Sequence, residues 1–332
     1  MFEDVISLDN LFSAWREFSR GKMKKADVLE FKLNLEDNLF RLHNELKNKT
    51  HKHSHYTAFT VCDPKLRRIH KATVCNRVLH HAIFRILYQI FDKSFIFDSY
   101  SCRIGKGTHR AVARLEKFCR QLSRKNSRNI FALKFDVRKF FDSVDQNILL
   151  SFIKRKIYDE NTIWLVEKII KSFPAGLPLG NVTSQLFANI YLNELDQFVK
   201  HQLKGKYYLR YCDDFLILGK TENQLREFIS SIKYFLEENL KLDLHPDKII
   251  IRKYRRGIDF LGYIVLPHHR ILRTKTKKRM LKKIKEKKFL LKENLISEES
   301  FNQSLQSYLG VLKHCAGYRV KRKIENITGN SL

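Results

Sequence analysis

An adjacent pair of aspartates between two apolar runs constrains this chain more than any other feature. Residues 206–218 read KYYLRYCDDFLIL, which predicts two short strands joined by a tight turn at Cys212–Asp213. Aspartate is common in turns, so an ordinary hairpin tip would explain the pair taken alone. Earlier in the chain, however, residues 132–137 read ALKFDV, a strand-like run that ends at another aspartate, Asp136. Together the two runs predict that three acids, Asp136, Asp213 and Asp214, lie close together at strand ends.

Carboxylates gathered in this way are costly to bury unless cations lie between them. A two-metal phosphoryl-transfer site requires hard oxygen ligands that hold two Mg²⁺ ions roughly 3.5–4 Å apart. Asp136, Asp213 and Asp214 are therefore the predicted metal ligands and catalytic residues. The backbone carbonyl of Val137 is a further candidate ligand, and the predicted cofactor is a pair of Mg²⁺ ions.

The chain carries a large excess of positive charge. Its 332 residues include 64 lysines and arginines against 35 aspartates and glutamates, which gives a formal net charge of +29. Such an excess indicates a polyanionic partner, with nucleic acid as the first candidate and a membrane surface as the second. No apolar run is long enough to span a membrane, and we expect no membrane partner.

The N-terminus and the cysteines indicate the cellular compartment of the protein. The first ten residues, MFEDVISLDN, carry acids and no basic segment, which argues against a secretory signal. The six cysteines are scattered without a CxxC pair, which argues against a disulfide framework or a zinc site. We therefore expect a cytoplasmic protein.

The first fifty residues are predicted to be helical and to pack against the rest of the chain. Apolar side chains recur there at helical spacing, at Phe31, Leu35, Leu39, Leu42 and Leu46. The alternating His51, His53 and His55 that follow could bind a metal, but an exposed strand or loop is the favoured interpretation.

Two further segments could approach phosphates. The strand-like run 63–71 carries four cations, Lys65, Arg67, Arg68 and Lys71. They could reach a triphosphate, although charge alone favours a solvated face. Residues 99–115 place a glycine-rich turn before a helix, without the spacing of a nucleotide-binding P-loop. The less specific interpretation is a turn that leads into a helix near a nucleic-acid backbone.

Some residues near the acids have two interpretations each. Phe141 could form the floor beneath a nucleotide sugar or belong to the core, since Phe140 is adjacent and one of the two must pack inward. Lys248 could approach a leaving pyrophosphate or lie on the surface. The loop 173–181 is rich in proline and glycine and leads into a helix predicted to start near Thr183, so a base pair or a nucleotide could approach its backbone closely.

The segment after the acidic pair predicts further elements. An amphipathic helix is predicted over Glu222–Leu240, a turn and strand over 242–252, and another turn and strand over 257–265.

The C-terminal part of the chain, residues 267–332, is strongly basic. One predicted helix has an apolar stripe amid lysines, made of Leu281, Ile284, Leu291 and Leu295. Such a helix could lie on a membrane surface, or it could neutralise phosphates along a duplex.

Taken in chain order, five motifs resemble the catalytic blocks of a reverse transcriptase of the right-hand type. They are FDVRKFF, LPLGNVTSQ, YCDD, LHPDK and IDFLGY. The resemblance implies an α+β fold with fingers, a palm with an antiparallel sheet, and a helical thumb. The implied boundaries are an N-terminal helical extension over 1–55, fingers over 56–132, a palm over 133–265 with a fingers-helix insertion at about 148–175, and a basic helical thumb over 266–332.

The resemblance also implies roles for residues other than the three acids. Lys248 would be a catalytic residue that protonates pyrophosphate. The nucleotide site would consist of Arg68 from the fingers, Phe141 as a steric gate against ribonucleotides, and Leu179, Gly180 and Gln185 from the second block. The template–primer contacts would be Phe260, Leu261 and Gly262 of the primer grip and Lys282 and Lys285 of the thumb. The implied partners are dNTPs, an RNA template and the RNA/DNA hybrid.

The second block departs from the commonest pattern of the family. Leu179 stands before Gly180 where most relatives carry glutamine, and Gln185 follows Ser184 where most carry proline. This variant is similar to the reverse transcriptases of diversity-generating retroelements. That resemblance implies error-prone copying of a template-repeat RNA, chiefly at adenines, with a small basic accessory variability protein oligomer, in a bacterial, phage or archaeal host. A retron-like, group II intron-like or phage-defence enzyme stays an alternative, as does a nucleic-acid-binding protein without polymerase activity.

Overall fold

The computed structural model describes residues 1–62 and 66–329, so Lys65 lies outside the described residues. The helices are α1 Phe2–Ile6, α2 Leu8–Ser19, α3 Ala26–Leu33, α4 Leu35–Lys47, α5 Val74–Phe91, α6 Thr108–Leu122, α7 Phe140–Ser143, α8 Gln146–Lys154, α9 Glu160–Lys171, α10 Val182–Gln197, α11 Glu222–Leu240, α12 Thr274–Lys292, α13 Glu298–Leu312 and α14 Tyr318–Thr328. The strands are β1 Thr57–Val61, β2 Arg67–Lys71, β3 Phe131–Asp136, β4 Tyr208–Tyr211, β5 Asp214–Gly219, β6 Ile250–Lys253, β7 Ile258–Phe260, β8 Tyr263–Val265 and β9 Arg270–Leu272.

The N-terminal segment is helical, as its apolar spacing predicts. Leu39, Leu42 and Leu46 are fully buried on one face of α4, and Phe31 is buried on α3. The helices α1 to α4 pack against α5, and the amide of Asn10 donates to a backbone carbonyl of α5 at 3.1 Å. The segment is therefore part of the main hydrophobic core rather than a loose extension.

The histidines after α4 lie in a loop, where His55 is exposed as predicted, but the predicted exposure was wrong for His51. Its ring is buried, with Nδ1 2.9 Å from Glu45 Oε2 and Nε2 3.1 Å from Asn76 Oδ1. The ring of His53 stacks on the buried His80, with the two Nε2 atoms 3.1 Å apart. These contacts pin the chain after α4 onto α5.

Burial of His80 makes the stability of the fold depend on pH. Burial lowers the pKa of His80 from 6.5 to about 3, with a smaller effect from His53. The folded state therefore holds this ring neutral, and its stabilising effect is complete above pH 6.5 and is lost as pH falls below that value. We expect the free energy of unfolding to fall by about 1.4 kcal/mol at pH 5.5 from this residue alone.

Urea unfolding at pH 7.5 and pH 5.5 measures this effect. A His80→Gln variant is the control, because it removes the titrating group and should show a smaller loss of stability between the two pH values. Equal losses for the two proteins would contradict the assignment to His80.

The central sheet is antiparallel, with the strand order β4-β5-β3-β6. The predicted strands over 132–137 and 206–218 are confirmed, and so is the tight turn at Cys212–Asp213. Cys212 has φ +55°, a left-handed conformation that lets the chain reverse between β4 and β5. Side chains alternate across the sheet, so Leu133 and Phe135 face the main core and Ala132 faces a second core beneath α6.

The segment after β6 differs from its prediction. A single turn and strand were expected over 257–265, but the chain forms a hairpin of β7 and β8 that β9 extends to three antiparallel strands. The reversal lies at Leu261 and Gly262, which both have positive φ.

The C-terminal helices α12, α13 and α14 pack on one another. Ile284 is buried on α12 as predicted, whereas Leu295 is 68% exposed and lies beyond the end of that helix. Among the described residues, no helix has the length and apolar character needed to cross a bilayer.

Candidate active site

Strand register brings two of the predicted acids together. Asp136 on β3 is paired directly with Asp214 on β5, and Asp213 lies in the turn just before Asp214. Side chains of directly paired residues on neighbouring strands have Cβ atoms about 4.5–5.5 Å apart on the same face. Like charges in that position destabilise a sheet, so the arrangement has to be offset by neighbouring groups.

Two lysines supply that offset. Lys248, at the end of a short turn before β6, forms an ion pair with Asp136. Lys134 Nζ lies 3.2 Å from Asp214 Oδ1. Lys248 thus lies beside one of the predicted catalytic acids, and its own catalytic role stays a prediction, whereas Lys134 was missed. The alternation of β3 could have found it, because Lys134 is two residues before Asp136 and therefore on the same face.

Asp213 interacts electrostatically with both other acids. The pKa of Asp213 is raised from 3.8 to about 6. Burial is the largest cause, and the negative charges of Asp136 and Asp214 contribute the rest of the increase. Like charges act in this way only at short range. The three carboxylates therefore occupy one site, as the sequence predicts.

The residues of this site fit divalent cations. Asp136 Oδ1 is buried and has no hydrogen-bond partner in the described part of the chain, while its other oxygen contacts Lys248. An orphaned buried carboxylate oxygen beside two further carboxylates is a donor set that Mg²⁺ prefers. Within residues 1–62 and 66–329, no three His, Cys, Asp or Glu side chains form a ready-made metal cluster. Lys248 and Lys134 each pair with one of the acids.

Val137 follows Asp136 into the edge of this site. Its side chain is buried, and it pairs with Leu244 in an isolated bridge. Backbone hydrogen bonds on both sides hold Val137 there. The amide of Arg138 donates to the carbonyl of Asp243 at 2.9 Å, and the amide of His245 donates to the carbonyl of Asp136 at 2.8 Å. Its role as a carbonyl ligand stays a prediction.

A buried arginine holds the turn that carries Asp213. Arg210 on β4 is fully buried, and its guanidinium donates to Asp196 on α10 at 2.7–3.0 Å and to Asn189 Oδ1 at 2.9 Å. Its Nη1 also donates to the carbonyl of Cys212 at 3.3 Å. The ion pair thus ties helix α10 to the residue before Asp213. Sequence reasoning missed this network, because an arginine in an alternating run such as YLRY ordinarily indicates the solvated side of a strand, whereas Arg210 is buried.

The β1–β2 hairpin docks onto the predicted nucleotide loop. The amide of His70 donates to the carbonyl of Leu179 at 2.9 Å, and Asn181 Nδ2 donates to the carbonyl of His70 at 3.2 Å. Gly180 has φ +114°, and a Cβ there would lie 2.7 Å from Ile69 Cγ2. Only glycine lets the hairpin approach this closely. Arg68 is exposed on the same strand, two residues from His70, and its contact with a nucleotide stays a prediction.

Phe141 lies against the same loop. Phe140 is the member of the pair that packs inward, and Phe141 is only half-buried. The amide of Leu177 donates to the carbonyl of Phe141 at 2.7 Å. Gly176 has φ +65°, and a Cβ there would lie 2.3 Å from that carbonyl. Glycine thus permits the loop to close on Phe141, which agrees with a shared nucleotide pocket.

The remaining predicted contacts lie on other elements of the fold. Gln185 is exposed in the first turns of α10, and Lys282 and Lys285 are exposed on α12. Leu261 and Gly262 form the tip of the β7–β8 hairpin. Phe260 is fully buried in the second core, so the prediction of a primer contact is corrected for its side chain, which supports the tip from below.

Comparison with known families identifies the architecture. Residues 45–265 match the family model described as "Reverse transcriptase (RNA-dependent DNA polymerase)", which is more than half of the chain. This chain belongs to the reverse transcriptase family. The family match spans the three acids, both glycine-containing loops and the hairpin that carries Arg68.

Several curated proteins are similar to this reverse transcriptase. Protein YkfC of Escherichia coli is 27% identical over 255 residues, which cover 64% of this chain and 65% of YkfC. The group II intron-encoded protein LtrA of Lactococcus lactis is 24% identical, with coverage of 65% of this chain and 46% of LtrA. The retron Ec73 reverse transcriptase of Escherichia coli is 25% identical, with coverage of 56% and 63%. The chain thus spans less than two thirds of the length of each of these relatives.

Solved structures show the same fold at low sequence identity. Telomerase from Candida albicans, in complex with a fragment of telomeric RNA, has a TM-score of 0.52 and 12% identity, covering 86% of this chain and 62% of the telomerase. Apo telomerase from Candida tropicalis has a TM-score of 0.52 and 14% identity, covering 83% and 62%. At this identity the likeness concerns the fold alone. It confirms the predicted α+β right-hand polymerase, in which the sheet β4-β5-β3-β6 is the palm.

Proposed function

We propose that this reverse transcriptase is an active RNA-directed DNA polymerase that extends a primer with dNTPs on an RNA template. The observation that carries the proposal is the register of the palm sheet, which sets Asp136 opposite Asp214 with Asp213 in the adjoining turn. The formal net charge of +29 on the whole chain supports it further, because a chain with this charge attracts a nucleic-acid backbone.

Asp136, Asp213 and Asp214, with the carbonyl of Val137, are the residues that would hold two Mg²⁺ ions. When bound, the ions supply Lewis-acid activation of the primer 3′-oxygen and charge neutralisation on the leaving pyrophosphate. The Lys248 ammonium, paired with Asp136, is the group placed to give a proton to pyrophosphate.

The nucleotide pocket and the outer contacts complete the proposed roles. Arg68, carried by the hairpin onto the Leu179–Gly180 loop, neutralises charge on the incoming triphosphate. Phe141, half-buried above the closed loop, leaves no room for a 2′-hydroxyl. Leu261 and Gly262 contact the primer end. Lys282 and Lys285 hold the RNA/DNA hybrid by its backbone and shape rather than by its sequence.

Primer extension tests the proposed activity directly. Purified chain, an RNA template annealed to a DNA primer, dNTPs and Mg²⁺ should give a template-length product. Binding of the template–primer without any extension, in the presence of a positive-control enzyme that extends it, would instead identify a nucleic-acid-binding protein without polymerase activity. The proposal would then be wrong.

The finer proposal is that the enzyme copies a template-repeat RNA with errors chiefly at adenines, for targeted gene diversification with an accessory variability protein. Leu179 supports it, because an aliphatic side chain beside Gly180 fills volume without the hydrogen bonds that glutamine would make to template and nucleotide. Fewer polar contacts weaken discrimination against mispairs. The retron and group II intron-encoded relatives fit the comparisons equally well.

A Leu179→Gln variant tests the basis of this infidelity. A regained hydrogen bond has a net value of about 0.5–1.5 kcal/mol, so we expect misincorporation at template adenines to fall by a factor of about 2 to 10. Sequencing of the cDNA from both proteins on one template measures the change. Leu177→Met, a change to another apolar side chain in the same loop, is the matched control. Wild-type error rates at adenine no higher than at other bases would remove the diversification proposal.

A further inference from the structure

A cavity of about 770 Å³ opens at the end of helix α6, away from the catalytic acids. One wall is the C-terminal half of α6 and the turn that follows it. The other wall is the β8–β9 turn over Leu266–His269, with Tyr254 at the back. Polar contacts fix both walls, from Asn126 Nδ2 to Pro267 O at 2.6 Å and from Tyr254 Oη to Leu266 O at 3.1 Å.

Four cations line this cavity and face solvent. They are Lys117, Arg120, Arg124 and Lys125, which define the basic groove. None of the four has an ion-pair partner among the residues that the structure describes. The single acid in the lining, Glu116, lies 3.5 Å from Arg270 Nε and is thus already paired. The groove therefore holds uncompensated positive charge, which suits a polyanion.

The backbone of the turn is built to present these side chains. Arg124, Lys125 and Asn126 have φ of +49°, +57° and +73°, three successive left-handed residues without a glycine. Such conformations cost free energy and persist only where the surroundings enforce them. Here the side chain of Ser123 accepts from the amide of Asn126 at 2.9 Å, and the amide of Lys125 donates to the carbonyl of Arg120 at 2.8 Å. The turn is thus held in a costly shape that places two cations at the rim.

The basic groove lies at the far ends of three elements relative to the acids. Helix α6 begins at Thr108, whose hydroxyl donates to Tyr211, two residues before Asp213, at 3.3 Å. This 15-residue helix ends at Leu122, about 20 Å away, at the groove. Strand β3 likewise runs from the groove side to Asp136, and the β8–β9 turn is at the opposite end of its sheet from the hairpin tip at Leu261 and Gly262. The groove is therefore separate from the template–primer contacts proposed above.

We propose that the basic groove binds the sugar–phosphate backbone of a template-RNA segment that lies outside the polymerase cleft. The inference rests on the proposed function for the identity of the polyanion as RNA. Lys117, Arg120 and Arg124 are spaced along one face of α6 and its end over about 10 Å, which matches about three successive phosphates of one strand. Contacts of this kind position a long RNA on the enzyme without reading its sequence.

The test is RNA binding by an Arg120→Gln, Arg124→Gln double variant of the full chain. Three labelled probes are used: an RNA–DNA hybrid of about 12 base pairs, and the same hybrid with its template strand extended by a hairpin of about 30 nucleotides at the 5′ end or at the 3′ end. The matched control is Arg16→Gln, Arg20→Gln, which removes two exposed arginines at the N-terminal helix α2.

We expect the groove variant to bind at least one extended probe about ten- to fiftyfold more weakly at 0.1 M salt, with a salt slope lower by about two. Its affinity for the short hybrid and its rate of extension on that hybrid should match wild type. The inference would be overturned if the groove variant and wild type bound all three probes with equal affinity. It would also be overturned if the groove variant lost as much affinity for the short hybrid as for the extended probes, or if the control variant lost as much affinity as the groove variant. Failure of wild type to extend any primer, with the groove effect intact, would refute the proposed polymerase activity and leave the binding site standing.

Discussion

Replacing Asp213 with alanine is expected to slow primer extension by about three orders of magnitude or more. The side chain lies in the turn between β4 and β5, next to Asp214 and within electrostatic reach of Asp136. Its loss would remove one of the proposed oxygen donors for the cations, and metal-ion stabilisation of a phosphoryl-transfer transition state is worth several kcal/mol. Each 1.36 kcal/mol corresponds to a factor of ten in rate. Single-turnover extension on one template measures the change.

The control is Asp247→Asn, which alters an exposed aspartate beside Lys248 but outside the acidic site. It should extend at nearly the wild-type rate. Extension by Asp213→Ala at a rate comparable to wild type would show that Asp213 does not hold a catalytic cation. That result would remove the central argument for the polymerase.

The Asp213→Asn variant separates lost chemistry from lost folding. The raised pKa of Asp213 means that the folded state binds a proton more tightly than the unfolded state between about pH 4 and 6. The free energy of unfolding therefore falls as pH rises through that window, and the penalty is complete above it. The neutral amide removes this penalty, so the inactive variant should be more stable than wild type by up to about 3 kcal/mol at pH 7.5 in chelator. Lower stability than wild type would contradict the account of the pKa.

Asp196→Ala is expected to lower the free energy of unfolding by about 3–5 kcal/mol. Arg210 and Asp196 are both completely shielded from solvent, so the alanine leaves a buried guanidinium without its counter-charge. Tyr208 loses the acceptor for its hydroxyl as well. Denaturant unfolding measures the loss. A change below about 1 kcal/mol would mean that water reaches Arg210.

A double variant, Asp196→Leu with Arg210→Met, distinguishes stability from positioning. Replacing a buried ion pair with apolar residues of similar volume is often neutral for stability, so this protein should recover most of the loss. Its activity should not recover, because no donor remains for the Cys212 carbonyl that precedes Asp213. Full recovery of both stability and extension rate would show that Arg210 only supports the core.

The acids of the site could be predicted because strands have a strict period. Apolar runs on both sides of each aspartate predict strand ends, and antiparallel pairing then places Asp136 opposite Asp214. The helix over Glu222–Leu240 was predicted to the residue for the same kind of reason, since its apolar spacing runs without interruption. Patterns of this type depend only on neighbours in the sequence.

The missed features depend on contacts between distant parts of the chain. Arg210 is buried only because Asp196 and Asn189 on α10 meet it, and a charged residue in an alternating strand otherwise indicates a solvated face. His51 is buried because Glu45 and Asn76 satisfy both ring nitrogens. The β7–β8 hairpin was missed because Leu261, an apolar residue inside an apolar run, adopts a left-handed conformation that no local pattern indicates.

The burial of Cys212 in the turn between β4 and β5 has a practical consequence for labelling. Burial raises the pKa of its thiol, so it is a poor nucleophile at neutral pH, as are the shielded Cys75 and Cys119. Cys62 and Cys102, in contrast, are exposed, and Cys62 directly follows strand β1 in the hairpin that docks onto Leu179. Maleimide dyes attached to the unaltered chain would therefore react at Cys62 beside the β1–β2 hairpin and at Cys102, which is close enough to the turn that carries the acids for its charge to act on Cys212. Energy transfer between dyes at the two sites would measure the separation of the hairpin from that turn.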